Sequence, residues 1–191
     1  MKQSHIASIA LLVCLLIVAV IALGSDAPGS DDEPILIIGD SMNVLVVDAR
    51  SLSDLAAAGI PAPEELQIPK GIKRYDVVTF NHTALSQEIR DGLSLSIHGT
   101  AYRAKQHGMG FERIDDGIDT SEGAIIEVEG SDILLTTGEN ALVGSITFGN
   151  ETFWIIPVEP RARAEQSVSP LHIIYRSEDV LCPAGPPAPI D

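Results

Sequence analysis

The 191-residue chain is poor in the residues that usually announce a function. It has two cysteines, one tryptophan and an aromatic content of 4%. Cys14 lies in an apolar run near the N-terminus and Cys182 in a proline-rich tail. The two stand on opposite sides of the intervening sequence and are not expected to pair, which excludes a disulfide framework and leaves Cys182 as an odd thiol. Basic residues are also scarce: 12 Lys and Arg against 27 Asp and Glu give a net charge of −15. That balance argues against nucleic acid and anionic lipid as partners, and fits a basic partner or solubility in salty surroundings. His82, His98, His107 and His172 are scattered. None forms His-Glu-x-x-His, the helical spacing that puts two ligands and a base at one zinc. A metal site made by this chain alone is therefore not expected, nor any cofactor, and no internal repeat is visible.

Long apolar stretches are confined to one place. Ile6 to Leu23 carries no charge; Lys2 precedes it, and Asp26, Asp31, Asp32 and Glu33 follow. A basic start, an apolar core and a small-residue site at Ala22-Leu23-Gly24 fit a secretory signal. The run is also just long enough to span a bilayer as a helix. Residues 1–24 are thus read as a signal peptide or a membrane anchor through residues 6–23, and the charge bias puts the remainder outside the cell in either case. Val13 before Cys14 is not the small residue a lipoprotein site requires. Residues 25–34, SDAPGSDDEP, read as an acidic linker. Residues 35–180 are long enough for one domain with a real core, and 181–191, ending CPAGPPAPID, form a proline-rich, extended tail.

The domain reads as mainly β. Ile35 to Asp48 holds two β-rich runs broken at Gly39-Asp40. Ser51 caps one short helix, Leu52 to Ala58, that stops at Gly59 and Pro61. Ala62 to Gly71 reads as irregular. Strands are expected at Asp76 to Phe80, at Leu93 to His98 with a continuation through Gly99 to Ala104, at Ala124 to Glu129, and at Ile133 to Thr137. The clearest pattern spans Leu142 to Arg176. Two alternating runs flank Gly149-Asn150, a hairpin signal. Centring the turn there pairs Ile146 with Phe153 and Gly144 with Ile155 on one face, and Ser145 with Trp154 on the other. Gly144 leaves room for the Trp154 ring, Pro157 ends the ladder, Trp154 is expected to be largely buried, and Leu171 to Arg176 adds a strand. Many short strands joined by turns indicate a single antiparallel β-sandwich or partly open barrel-like domain with one short helix, behind an N-terminal hydrophobic helix.

Three features bear on chemistry. Ile38-Gly39-Asp40-Ser41 after an apolar strand resembles the opening block of GDSL-type esterases, with Ser41 as nucleophile. Such an enzyme needs an Asp-x-x-His pair towards the C-terminus to activate the serine; none follows Ser41, and Gly-Asp-Ser is a common turn sequence. Asn81-His-Thr83 and Asn150-Glu-Thr152 are N-glycosylation sequons, at Asn81 and Asn150. Cys182 is too solitary to hold zinc, but a single thiolate can fill the open fourth position of a three-ligand zinc site elsewhere.

The blocks Leu93 to Gly99, Ser131-Asp-Ile-Leu-Leu-Thr-Thr137, Leu142-Val-Gly-Ser-Ile-Thr-Phe148, Phe153-Trp-Ile-Ile-Pro-Val-Glu-Pro160 and His172-Ile-Ile-Tyr-Arg176 occur in that order. Together, Arg74 to Cys182 resembles the propeptide of reprolysin/ADAM-type zinc metalloproteases, in a form also seen ahead of secreted archaeal enzymes. It departs from that pattern at Pro183, where glycine is favoured, and at Ser121-Glu122, where an aromatic is usual. The resemblance implies a non-enzymatic domain whose cysteine, here Cys182, caps the zinc of a metalloprotease catalytic domain. No catalytic domain follows Cys182, so the expected action is binding, inhibition or folding assistance in trans. The alternatives are a truncated precursor fragment and a cell-surface adhesion module.

Overall fold

The period-two runs become the strands of a single sheet. The computed structural model describes residues 33–60, 66, 68–109, 117–158 and 170–181. The hydrophobic N-terminal segment, the acidic linker up to Asp32 and the tail from Cys182 lie outside the described residues. Among the described residues no helix is long and apolar enough to cross a membrane. In chain order the elements are β1 (Leu36–Ile38), β2 (Met42–Ala49), α1 (Leu52–Ala57), β3 (Tyr75–Phe80), α2 (His82–Asp91), β4 (Leu93–Ile97), β5 (Thr100–Gly108), β6 (Asp119–Ile125), β7 (Asp132–Thr137), β8 (Leu142–Phe148), β9 (Glu151–Val158) and β10 (Leu171–Arg176). The sheet order is β1-β4-β5-β6-β7-β8-β9-β10-β3-β2, antiparallel throughout. Its two terminal strands, β1 and β2, are consecutive in the chain, so the sheet curls into a nearly closed barrel. The sandwich alternative falls, because there is one sheet.

The β8–β9 register is the one the alternation predicts: Gly144 opposite Ile155, Ser145 opposite Trp154, Ile146 opposite Phe153. The hairpin is not an edge, since β7 and β10 flank it. Pro157 ends only the β8 side of the ladder and still stands opposite His172 on β10. The role of Gly144 also differs from expectation. A Cβ there would run into the Leu134 carbonyl oxygen and the Leu135 side chain on β7; Trp154 lies on the other face.

Three further expectations are corrected. The strand expected at Ala124 to Glu129 is β6, Asp119–Ile125, and the chain turns after it, with Glu127 at φ 66°. The strand from Leu93 does not run on to Ala104. His98 and Gly99 have φ of 49° and 74°, both in the left-handed region a type I′ turn needs, and Ile97 pairs with Thr100 across the turn. The His98–Gly99 turn was missed because its first residue is not the usual Asn or Asp. A second helix, α2, also occupies a stretch read only as a sequon. Asn81 caps it, its Oδ1 accepting the Ala84 amide at 3.2 Å, and His82, Leu85 and Ile89 form its buried face. Asp40 N–H donates to Glu88 Oε2 at 2.9 Å, which ties α2 to the β1–β2 turn. In α1, by contrast, the Ser51 start is as expected, with the Asp54 carboxylate accepting the backbone amide of Ser51 at 2.8 Å.

Alternate residues fill the barrel: Leu95, Ile133, Leu135, Ile146, Phe153 and Ile155 are buried there with Leu85 and Ile89 of α2. On the outside, a second cluster packs Leu55 of α1 against Tyr75, Val77, Val158 and Ile173. β3 and β10 are therefore covered on both faces, which explains their unbroken apolar runs.

No ladder joins β1 to β2, and a side chain spans the seam. Asp76 on β3 is 2% exposed. Its Oδ2 accepts the Ile35 amide, just ahead of β1, at 3.1 Å, and its Oδ1 accepts the Asp48 amide of β2 at 2.9 Å. Register shifts in β2 between Val44 and Ala49, with Asp48 at φ 53°, turn that amide away from the regular ladder. Burial pushes the Asp76 carboxyl above its usual range, and the two amide hydrogen bonds oppose the rise.

Asn at position 76 offers one acceptor and sets an NH2 group against a backbone donor. Asp76→Asn is expected to lower unfolding free energy by about 1–3 kcal/mol, and Asp76→Ala by more. Urea unfolding of Asp76→Asn superimposing on wild type would contradict the seam role.

Trp154 is not buried. Alternation puts it on the outer face, 40% exposed, with Nε1–H donating to Ser177 Oγ at 2.8 Å. Its fluorescence in the folded protein should be red-shifted and readily quenched. Trp154→Ala should cost about 1 kcal/mol, in the range of surface substitutions rather than cavity-forming ones. A blue-shifted, quencher-resistant emission would restore the buried reading.

Candidate functional site at one end of the barrel

Four pieces of chain converge where β2, β10 and α2 begin and β7 turns into β8. Ser41 starts the first, and its carbonyl accepts the Asn81 amide at 3.2 Å, which fixes β2 against the head of α2. Gly138 N–H donates to Ala141 O at 2.8 Å and closes the turn that presents Glu139 and Asn140. Pro170 leads into β10. Together they wall a cleft of about 560 Å³, with Ser41, Asn43, His82, Thr83, Glu139 and Asn140 in its lining. Asn43, Thr83, Glu139 and Asn140 are exposed; His82 is buried.

Behind the cleft two imidazoles and a phenyl ring are stacked. The His82 and His172 ring centroids are 5.2 Å apart, and Phe80 meets His172 edge-on at 5.1 Å. His172 is fully buried. Its Nε2 accepts the Leu142 amide at 3.0 Å, and Nδ1 stands 3.1 Å from the Pro170 carbonyl. An amide donor on one nitrogen and a carbonyl on the other fix the neutral tautomer with the proton on Nδ1. Burial, with the neighbouring His82, holds its pKa down to about 4, against a smaller upward pull from the Pro170 carbonyl. Burial also lowers the pKa of His82. Among the described residues neither ring nitrogen of His82 has a hydrogen-bond partner, and the same is true of Ser41 Oγ.

Ser41 therefore stands in a turn, as Gly-Asp-Ser suggests, with Gly39 N–H donating to Ser94 O at 2.8 Å. It shares the cleft with a histidine but forms no hydrogen bond to it, so no nucleophile–base pair is assembled. Among the described residues no three His, Cys, Asp or Glu side chains are grouped to hold a metal. Sequence reading passed over His82 as a site residue. The available signal was its place between a helix cap and an apolar face.

The other sequence-derived sites are placed as follows. Asn81 is the exposed N-cap of α2, and Asn150 is exposed in the β8–β9 turn. Cys182 lies outside the described residues, one position after a well-fixed segment. Arg176 organises that segment: Nε donates to Asp179 Oδ2 at 3.1 Å, and one terminal nitrogen lies 2.6 Å from Glu178 and 3.6 Å from Glu151. Glu151 in turn contacts His98 Nε2 at 2.7 Å. Asp179 also meets Arg74 at 3.6 Å. Val180 then bridges Ile72, and Leu181 N–H donates to Gly71 O at 2.8 Å. His107, on β5, pairs with Glu122 on the exposed surface at 2.9 Å.

In comparisons with known proteins, no family model, no curated protein and no solved structure matches the chain.

The His172 geometry has a pH consequence with a definite sign. The folded-state pKa lies below the unfolded one, so between about pH 6.5 and about 4 the unfolded chain binds more protons. This contribution to stability is full above the unfolded value and is lost as pH falls through the window. It amounts to roughly 3 kcal/mol. Asp76, with its raised pKa, acts in the opposite sense as pH falls below that raised value, so wild type must be compared with a variant. His172→Gln is expected to be less stable at pH 7 and to lose less stability on acidification to pH 4. Parallel pH–stability curves for the two proteins would contradict this.

Proposed function

We propose that the domain is a non-enzymatic, propeptide-like docking domain that binds and inhibits, or helps to fold, a zinc metalloprotease catalytic domain outside the cell. One observation carries the reading. The blocks on which the resemblance rests are joined in space as a working unit. His172 of the last block accepts the backbone amide of Leu142, which opens an earlier one. Arg176, at the end of that block, clamps Glu178 and Asp179. The chain is thereby anchored through Leu181, the residue before Cys182 in the sequence.

The outer face supplies docking area. Leu134, Ser145 and Trp154 stand opposite one another across β7, β8 and β9, with Val143 on the same face. Leu134, Val143 and Trp154 are exposed at 42%, 45% and 40%. An exposed aromatic between aliphatics is the kind of residue that dominates interface energies. The thiolate of Cys182 adds a metal bond, filling the open position of a three-ligand zinc.

The test is inhibition of a reprolysin-type catalytic domain from the same source by the purified chain. Cys182→Ala and alkylated wild type should inhibit more weakly by roughly tenfold or more, and Trp154→Ala should weaken docking by a similar factor. Equal inhibition by wild type and Cys182→Ala removes the zinc-capping role. No inhibition by folded wild-type protein rejects the inhibitory reading, and failure to raise the refolding yield of the catalytic domain then rejects the proposal.

A further inference from the structure

The cleft at the end of the barrel has no part in the docking reading, and its chemistry indicates a separate ligand. Its volume of about 560 Å³ falls within the usual span of small-molecule sites, roughly 300–1,000 Å³. Two residues of its lining, Ser41 and His82, carry buried side-chain polar atoms with no hydrogen-bond partner among the described residues; His82 is only 9% exposed. Buried polar groups are almost always satisfied by protein, water or ligand, so these two call for a polar occupant.

The sign of that occupant follows from the wall. Among the described residues, Glu139 is its one carboxylate. The head of α2 lies in the same wall, where unpaired amides and the helix dipole supply partial positive charge. An anion would be opposed by Glu139, and a cation by the helix end. The remaining groups, Asn43, Thr83 and Asn140 with Ser41 and His82, are amides, hydroxyls and an imidazole, each able to donate and to accept. A sugar hydroxyl also does both, and can donate a hydrogen bond to Glu139 while accepting one from an amide.

We propose that this cleft binds a neutral saccharide unit, with Asn43, Glu139 and Asn140 as outer contacts and Ser41 and His82 as the deeper ones. The proposal does not depend on the docking reading. A free sugar and a glycan carried on Asn81, which also lines the cleft, present the same chemistry.

The test uses the full chain, isotope-labelled and made without glycosylation. Glucose, mannose and N-acetylglucosamine are titrated separately, as are guanidinium and inorganic phosphate, while the His82 ring and Thr83 amide resonances are followed. The expected result is a saturable shift with at least one sugar. Affinity should fall at least tenfold in Asn43→Ala and in Glu139→Gln, with unchanged Trp154 emission showing that both remain folded. Repeating the titration with Asn81 glycosylated separates the sources. A response that persists assigns the cleft to an external sugar, and one that disappears assigns it to the chain's own glycan. A response confined to guanidinium or phosphate overturns the proposal, as does no saturable response to any sugar, or sugar binding unchanged in both variants.

Discussion

A buried carboxylate closes the barrel. Every interior strand has a ladder on each side, but β1 and β2 each have one partner only, and open edges are a hazard that proteins cover, pair or charge. Asp76 meets this with two amide hydrogen bonds, one to each side of the seam. Burying a carboxylate opposes folding, and its raised pKa records that cost. Charge-assisted hydrogen bonds to amides that would otherwise lack partners offset it. Without the seam, the apolar interior shared by Leu36, Val78 and Phe80 would be open to water along one side.

The two ends of the β10 strand then take different roles. At its start, His172 is held neutral and links β10 to the first residue of β8 through a backbone amide. At its end, Arg176 is charged and links β10 to the segment that runs to Leu181. Exposed ion pairs contribute little to stability, but the Arg176 side chain is only 15% exposed and grips several carboxylates at once. Its effect is positional: it sets where the chain leaves the barrel. The two proposed roles, docking and ligand binding, thus fall at opposite ends of one strand.

Much of the sheet was legible from the sequence. The Gly149-Asn150 turn, the β8–β9 register and the break at Gly39-Asp40 are local, and alternation specifies them because a one-residue slip would expose a whole face. The Ser51 cap and the short α1 were legible for the same reason. Helix α2 was not, since His82 to Asp91 is mostly polar and its apolar stripe is only three residues wide. Trp154 was misassigned because Phe153, Ile155 and Ile156 make the strand apolar on both faces. Alternation separates the two faces but does not say which one water reaches.

The sequence by itself determined the strand-rich class, the main hairpin register and the short α1, because these depend on spacing along the chain. Tertiary structure decided what depends on curvature and on residues far apart in sequence. Curling one sheet on itself chose the inside face, exposed Trp154 and made Asp76 a seam. It also gathered Ser41, His82 and Glu139 into one cleft, a grouping no local pattern encodes because two separate turns and the head of α2 place them there.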